Sequence, residues 1–391
     1  MELSNRVKNL KPSITLEITA KANAMKKQGI DVVGFGAGEP DFDTPENIKK
    51  AAIKAIEDGK TKYTPAAGIL ELRDAVAKMF TEDYGVEYSA EEVIISCGGK
   101  HSLYNIFQAI LNNEDEVIIP APYWVSYPSM VELAGGKPVI LPSSIEENFQ
   151  INLKKLKNAI TPKTKAIVLN SPSNPSGMIY SKETLHGIIE IVKDKEIFII
   201  SDDIYNKLVY DVEFLNVLIL DKSLKDKTII VNGVSKTYSM TGWRIGFTGA
   251  TKDIISAINK IQSQSTSNPT SIAQYAALEA ITGDQSSVEV MKKAFKKRRD
   301  LAIEKLNTIP GLKCLKPDGA FYLFPDVSEF IKKSKFENSV DFCKNLLEKE
   351  KVAVVPGSAF GVENTFRMSF ALSDENILKG IERIRNFIIN A

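Results

Sequence analysis

Two basic residues in Asn232-Gly-Val-Ser-Lys-Thr-Tyr-Ser-Met-Thr-Gly-Trp-Arg-Ile-Gly246 have the types and spacing to do chemistry. Lys236 follows an apolar run, and Arg244 comes eight residues later. A lysine adds to a carbonyl carbon only as the neutral amine, so burial or neighbouring positive charge must favour its deprotonation. Arg244 supplies such a charge and also a planar donor fork for a phosphate. The glycine-rich opening of a helix at Gly98-Gly99-Lys100 offers free backbone N–H groups to the same anion. Together these residues could form a phosphate site with a Schiff-base lysine beside it. The alternative is a solvated surface lysine, and spacing alone leaves both readings open.

Other chemistries have little to work with. The two histidines, His101 and His186, are too few for a histidine-built metal site or an easily assembled serine–histidine hydrolase. Cys97, Cys314 and Cys343 are far apart and odd in number, so they form neither a metal-ligand spacing nor a disulfide framework. Buried small hydrophobes in a reducing compartment are expected instead. Gly34-x-Gly36-x-Gly38 lacks the Gly-x-Gly-x-x-Gly spacing, and Glu39-Pro40-Asp41 stands where a helix should open. Those glycines fit a close approach of backbone to a ligand better than a dinucleotide site.

The elements that must position these residues are legible as an α/β pattern. Strands are expected at Val93–Ser96, Glu116–Ile119, Ala166–Leu169, Ile197–Ile200, Thr228–Val231 and Ile245–Thr248. Helical periodicity runs from Ser102 to Leu111 and from Ser181 to about Lys193. Polar or glycine- and proline-rich turns follow five of the strands: Gly98-Gly-Lys100, Pro120-Ala-Pro-Tyr-Trp124, Asn170-Ser-Pro-Ser-Asn174, Asp202-Asp-Ile-Tyr205 and Asn232-Gly-Val-Ser-Lys236. Ligands bind beyond the carboxyl ends of strands in open α/β sheets, so five such turns predict one converging site. Farther on, strands are expected at Leu312–Lys316, Ala320–Phe324, Val352–Val355 and Phe366–Phe370. Helices are expected near 339–350 and 374–389, which with those strands suggest a smaller α+β unit, and a long helix around 287–307 is expected to connect it to the larger part.

With 391 residues, the chain is long for one core, so a large and a small domain are expected. Its 43% hydrophobic and 25% charged content is that of an ordinary globular protein. A net charge of +1 gives no general attraction to nucleic acid or an anionic membrane. The polar start, without an apolar signal core or a spanning run, predicts a cytoplasmic protein.

The Lys236 segment, Asn170-Ser-Pro-Ser-Asn-Pro-Ser-Gly177 and Ser201-Asp-Asp-Ile-Tyr205 resemble the fold-type I pyridoxal-phosphate aminotransferases. Within them, the chain resembles the bacterial aspartate aminotransferases that lack the usual distal-carboxylate arginine. The likeness extends from Val7-Lys-Asn-Leu-Lys-Pro-Ser-Ile-Thr15 to Phe366-Arg-Met-Ser-Phe370. It implies a mostly parallel seven-stranded sheet sandwiched by helices at 46–288, with a small α+β domain from 1–45 and 289–391. It also implies that Lys236 binds pyridoxal 5′-phosphate and carries the proton, while Asp202 pairs with the pyridine nitrogen. Asp203 is the neighbouring rival. Tyr205 and Asn174 are implied to hold the phenolic oxygen, and Trp124 to stack on the ring. Gly99, Lys100, Ser235 and Arg244 fall at the phosphate end, with Tyr63 reaching in from the partner of a homodimer. Gly233 stands where many relatives have a phosphate-binding serine.

For the amino acid, the resemblance implies that Arg367, Asn174 and Gly38 clamp the α-carboxylate. Gln262-Ser-Gln-Ser-Thr-Ser-Asn-Pro269 carries no cation for a distal carboxylate, which points to Lys100 and Thr15 instead. The expected reaction moves the amino group of aspartate or glutamate to 2-oxoglutarate or oxaloacetate. Aromatic amino acids or prephenate are alternative substrates, and a carbon–sulfur β-lyase is an alternative reaction on the same scaffold. Cis bonds are implied at Ala121–Pro122 and Asn174–Pro175.

Overall fold

The computed structural model describes residues 2–10 and 14–390; the side chains of residues 9 and 14–16 lie outside that description. A short strand, β1 (Val33–Gly34), precedes the main sheet. That sheet is built from β2 (Val93–Ser96), β3 (Glu116–Pro120), β4 (Lys137–Leu141), β5 (Thr164–Asn170), β6 (Phe198–Asp202), β7 (Thr228–Gly233) and β8 (Gly246–Gly249). Its order is β2-β8-β7-β6-β5-β3-β4, with β8 antiparallel to both neighbours and every other pairing parallel.

Strand alternation splits the core between two faces. Val93, Ile95, Ile118, Ile167, Ile199 and Ile230 point to one, under helices Glu46–Glu57, Leu70–Tyr84, Lys182–Val192 and Ser271–Thr282. Ile94, Val117, Val168, Ile200 and Val231 point to the other, under helices Gly99–Ile110, Tyr127–Leu133 and Lys252–Ser265. A sheet buried on both faces reads as continuous apolar runs, which is why its central strands were legible in the sequence.

The edge strand β4 was not. It begins Lys-Pro and is half exposed, and a proline in a run is tolerated only at a sheet edge. A second correction concerns β6, which runs on to Asp202 rather than ending at Ile200. Its pairing with β7 continues through Asp202 opposite Val231, so this carboxylate is placed by a strand rather than a turn.

Beyond the sheet, helix Ser286–Leu306 leads to a three-stranded antiparallel sheet of β9 (Tyr322–Leu323), β11 (Val355–Pro356) and β12 (Phe366–Ser369), with β12 central. The companion strand β10 (Val352–Ala353) pairs with β1. Helices Ser339–Glu350 and Asp374–Asn390 cover this part, and Ile18, Val33 and Phe35 share its core. The expected strand 312–316 forms only a single bridge, Lys313 to Asp326. Its alternation is real, but the Asn307 side chain accepts from the Cys314 N–H (2.9 Å) and donates to its carbonyl (3.0 Å), taking the place of a neighbouring strand.

Two glycines fix how closely the sheet edge approaches the first turn. Gly98 has φ 91°, and a Cβ there would lie 2.4 Å from the Arg244 guanidinium. A Cβ at Gly246 would lie 2.4 Å from the backbone of both Gly98 and Gly99. Gly246→Ala is therefore expected to destabilise the protein by about 1–3 kcal/mol through overpacking. The test is the urea midpoint: a fall at unchanged slope is expected, and an unchanged midpoint would show that the turn can move aside.

Candidate active site

The carboxyl ends of β2, β3, β5, β6 and β7 lie on one edge of the main sheet, and the polar turns converge there. β7 ends at Gly233 and passes directly into the short helix Val234–Thr237, which carries Lys236. The lysine side chain is part-buried, and Nζ donates to the Gly38 carbonyl at 2.5 Å. Burial, with Arg367 and then Arg244 adding repulsion, pushes its pKa down to about 8; Glu39 and Asp202 pull the other way. The neutral amine is therefore far more accessible near neutral pH than in an exposed lysine, as an imine-forming lysine requires.

Asp202 and Asp203 are both buried but occupied differently. Asp203 accepts from Ser201 Oγ (2.8 Å) and Asn216 Nδ2 (3.0 Å), which ties it into the fold. Asp202 accepts from the Tyr127 hydroxyl at 2.5 Å, and its carbonyl is held by Asn170 Nδ2 at 2.8 Å. Burial raises its pKa to about 6, while Tyr127 and Lys236 oppose that rise. Asp202 is thus a carboxylate short of positive charge, and a nearby cationic N–H would favour its ionised form. Tyr205 is buried, with its hydroxyl 2.9 Å from that of Tyr322.

Arg367 sits in β12 and is only 5% exposed. Its Nη1 donates to Asn174 Oδ1 (2.9 Å) and its Nη2 to the Gly36 carbonyl (2.8 Å), while Nε has no partner. The guanidinium lies over the Tyr322 ring at 4.7 Å and near that of Phe360 at 5.1 Å. No carboxylate among the described residues pairs with it, and burial lowers its pKa. A buried guanidinium lacking a counter-anion is costly, so this position favours an anionic ligand.

At the other end, helix Gly99–Ile110 opens behind Gly98 with free N–H groups. Arg244 adopts φ 57° and donates from Nη1 to the Thr241 carbonyl at 2.8 Å. Lys100 Nζ lies 4.9 Å over the Trp124 ring, and burial followed by Arg244 lowers its pKa. Ser235 is buried beside Lys236. A Cβ at Gly233 would come within 2.8 Å of the Ile245 carbonyl oxygen, so a serine there would need a backbone shift.

Tyr63, expected to serve a partner subunit's site, does not reach that of its own chain and is 92% exposed. Its segment lies beside 269–274, through Ser271 Oγ to the Lys60 carbonyl and Gln274 Nε2 to Thr64 Oγ1. Thr270, Ile272, Ala273 and Arg244 line a surface cavity of about 520 Å³. The Thr15 side chain lies outside the described residues. A further correction concerns the backbone: the cis bonds are Ala121–Pro122 and Ser171–Pro172, not Asn174–Pro175. The turn at 173–177 closes through Gly177 N–H to the Ser173 carbonyl at 2.8 Å, with Asn174 N–H held by Asn170 Oδ1.

Sequence reasoning missed Tyr127, Asn170 and Tyr322. Asn170 carried a signal, a lone amide at the end of an apolar strand. Tyr322 carried none, because an aromatic in a strand reads as core.

A lysine of lowered pKa, a buried carboxylate and an unpaired buried guanidinium meet beside an anion-ready helix opening. The family profile described as "Aminotransferase class I and II" matches residues 30–384. The chain belongs to that family. It is 52% identical over 387 residues to the aspartate aminotransferase of Bacillus sp. (strain YM-2), covering 99% of both chains. It is 49% identical to the probable aspartate/prephenate aminotransferase of Aquifex aeolicus (strain VF5), with 98% of both covered. Among solved structures, the Thermus thermophilus aspartate aminotransferase with maleate matches at TM-score 0.94 and 44% identity, covering 99% of both chains. The Rhizobium meliloti aspartate aminotransferase matches at 0.95 and 41%, covering 100% of this chain and 99% of that one.

Aminotransferases of this family use pyridoxal 5′-phosphate, and the residues present fit it. Gly98 and Gly246 leave no room for a Cβ where Arg244 meets the helix opening, which suits backbone close to a phosphate. Lys236 has the lowered pKa that an imine lysine needs, and Asp202, its pKa raised by burial, is a carboxylate that a pyridinium N–H beside it would return to the ionised form.

Cofactor-free protein provides a check on Lys236. The unfolded chain takes up this proton near 10.5 and the folded one near 8, so in that window the unfolded state binds more protons. Stability should therefore rise with pH from about 8 towards 10.5. Lys236→Met should flatten the rise in denaturant midpoints, and parallel profiles for the two proteins would contradict the assignment.

Proposed function

We propose that this aminotransferase moves the amino group of L-aspartate or L-glutamate to 2-oxoglutarate or oxaloacetate in two half-reactions that share one site. The observation that carries the reading is Arg367, buried, unpaired and held on Asn174 in the same site as Lys236. The relatives' names support the acidic substrate, as does the maleate in the Thermus structure.

Bound here, pyridoxal phosphate supplies a carbonyl carbon to carry the amino group and a ring to accept electron density. The chain's own residues do the rest. Arg367 presents its fork to the α-carboxylate, with Asn174 and the Gly38 backbone completing the clamp. Lys236 Nζ would take the proton from the substrate α-carbon and, as general acid, deliver it to the cofactor carbon that keeps the amino group. Asp202, oriented by Tyr127, stays ionised against the ring N–H. Tyr205 and Asn174 hold the phenolic oxygen, and Trp124 covers the ring. Gly99, Lys100, Ser235 and Arg244 surround the phosphate, with Ser235 taking the part that a serine at position 233 plays in many relatives.

Lys100 and Thr15 are the proposed anchors for the distal carboxylate. Lys100 rests on Trp124 with no ion pair among the described residues, which leaves it available to an incoming anion. The same freedom favours a second reading, in which aromatic amino acids or prephenate are also accepted. Relatives at 48–49% identity named aspartate/prephenate aminotransferases support it.

The active unit is proposed to be a cytoplasmic homodimer, with Tyr63 of each subunit completing the phosphate site of the other. Exposed Tyr63, Ile53, Ile56 and Leu70 support an apolar contact surface. No helix among the described residues is long and apolar enough to cross a membrane. Division into a cofactor domain at 46–288 and a small domain at 1–45 and 289–391 is supported by the separation of the buried cores.

The half-reaction tests the activity. Mixing cofactor-loaded protein with L-aspartate, and no keto acid, should convert the pyridoxal band to the pyridoxamine band. Pyruvate release from a cysteine conjugate without that conversion would favour the β-lyase. Lys100→Ala should raise KM for aspartate about tenfold to a hundredfold, the worth of a charge-assisted hydrogen bond. In protein saturated with cofactor the rise should be larger for aspartate than for phenylalanine, and full activity with aspartate would remove Lys100 as the anchor.

A further inference from the structure

We propose that Tyr322 is a positioning residue that couples the two ends of the substrate site, its hydroxyl orienting Tyr205 and its ring seating Arg367. The inference rests on the cofactor and carboxylate assignments above and adds a residue that they do not use.

Tyr322 lies in β9, fully buried, opposite Ser369 of β12. Arg367 is two residues from Ser369, so it is Tyr322's diagonal neighbour on the same face of the sheet. That register places the guanidinium carbon 4.7 Å from the ring centre. Arg367 has no carboxylate partner among the described residues, and beside the Asn174 and Gly36 oxygens that accept from it, the aromatic faces of Tyr322 and Phe360 supply negative potential in this buried site. The ring thus holds the fork in place while the anion position stays open.

The hydroxyl does separate work. A buried tyrosine O–H needs a partner, and this one lies 2.9 Å from the Tyr205 hydroxyl. One hydrogen is shared between the two oxygens. If Tyr205 gives its own hydrogen to the cofactor's phenolic oxygen, the shared hydrogen must be that of Tyr322. The donation fixes the direction of Tyr205 and strengthens it as a donor, because hydrogen bonds in a chain polarise one another. The charged groups around the pair are Arg367, Asp202 and Glu39. Phenylalanine would fill the same volume and keep the cation–π contact but lose this link.

The two roles separate by substitution in cofactor-loaded protein. The readouts are the pH midpoint of the visible cofactor band, without substrate, and KM against kcat for aspartate. Tyr322→Phe should raise the midpoint by about 0.3 to 1 unit, because a weaker donor stabilises the phenolate less, and should leave KM within about twofold. Tyr322→Leu should raise the midpoint similarly and also raise KM about fivefold to thirtyfold, from the lost ring face. A wild-type midpoint in the Phe variant overturns the hydroxyl's role, and a wild-type KM in the Leu variant overturns the ring's. Tyr322→Met repeats the ring test if the Leu variant does not fold. Absence of a visible band in the parent protein would instead overturn the cofactor assignment, so the two failures are distinguishable.

Discussion

The site depends on holding positive charge out of water without neutralising it. Arg367 is buried with an unpaired Nε and no carboxylate against it. Lys236 is desolvated close enough to feel that charge. Either group paired with an internal acid would be more stable and less useful, since a paired arginine cannot receive a carboxylate and a paired lysine stays protonated. The cost is met by neutral dipoles and π-faces: the Asn174 amide, the Gly36 and Gly38 carbonyls, and the rings of Tyr322 and Phe360. Anionic ligands complete the balance when they bind.

Meeting that constraint takes parts from across the chain. The main sheet contributes Asp202 and Asn170 from strand ends and Lys236 from the short helix after β7. The smaller sheet contributes Arg367 and Tyr322 from paired strands, where register fixes their separation. The segment around Gly36 and Gly38 threads between them, tied to β10 through β1 and to β12 through Ser369 N–H to the Phe35 carbonyl at 2.8 Å. Two of its carbonyls occupy the two cations. A small residue is needed at Gly38, where a Cβ would lie 3.3 Å from the Tyr322 hydroxyl.

Much of this was readable in advance where burial imposes a pattern. The apolar runs of β2, β5 and β7 announced themselves because a sheet covered on both faces tolerates little else. Lys236, Asp202 and Arg367 stood out through their motifs. What escaped depended on contacts that sequence spacing does not carry. The strand expected at 312–316 has the right alternation, but a single asparagine side chain satisfies its backbone. β4 was hidden by its edge character. Tyr322 looks like any core aromatic until the register of β9 on β12 places it under the arginine. Tyr63 is exposed in the single chain, and its proposed role could be read only from the resemblance.

Lys236, and no other lysine, is proposed to carry the cofactor. Reducing the cofactor-loaded protein with borohydride and mapping the modified peptide by mass spectrometry tests it most directly. The account predicts one stable pyridoxyl adduct, on Lys236. An adduct on Lys100 or any other lysine, with Lys236 unmodified, would contradict it.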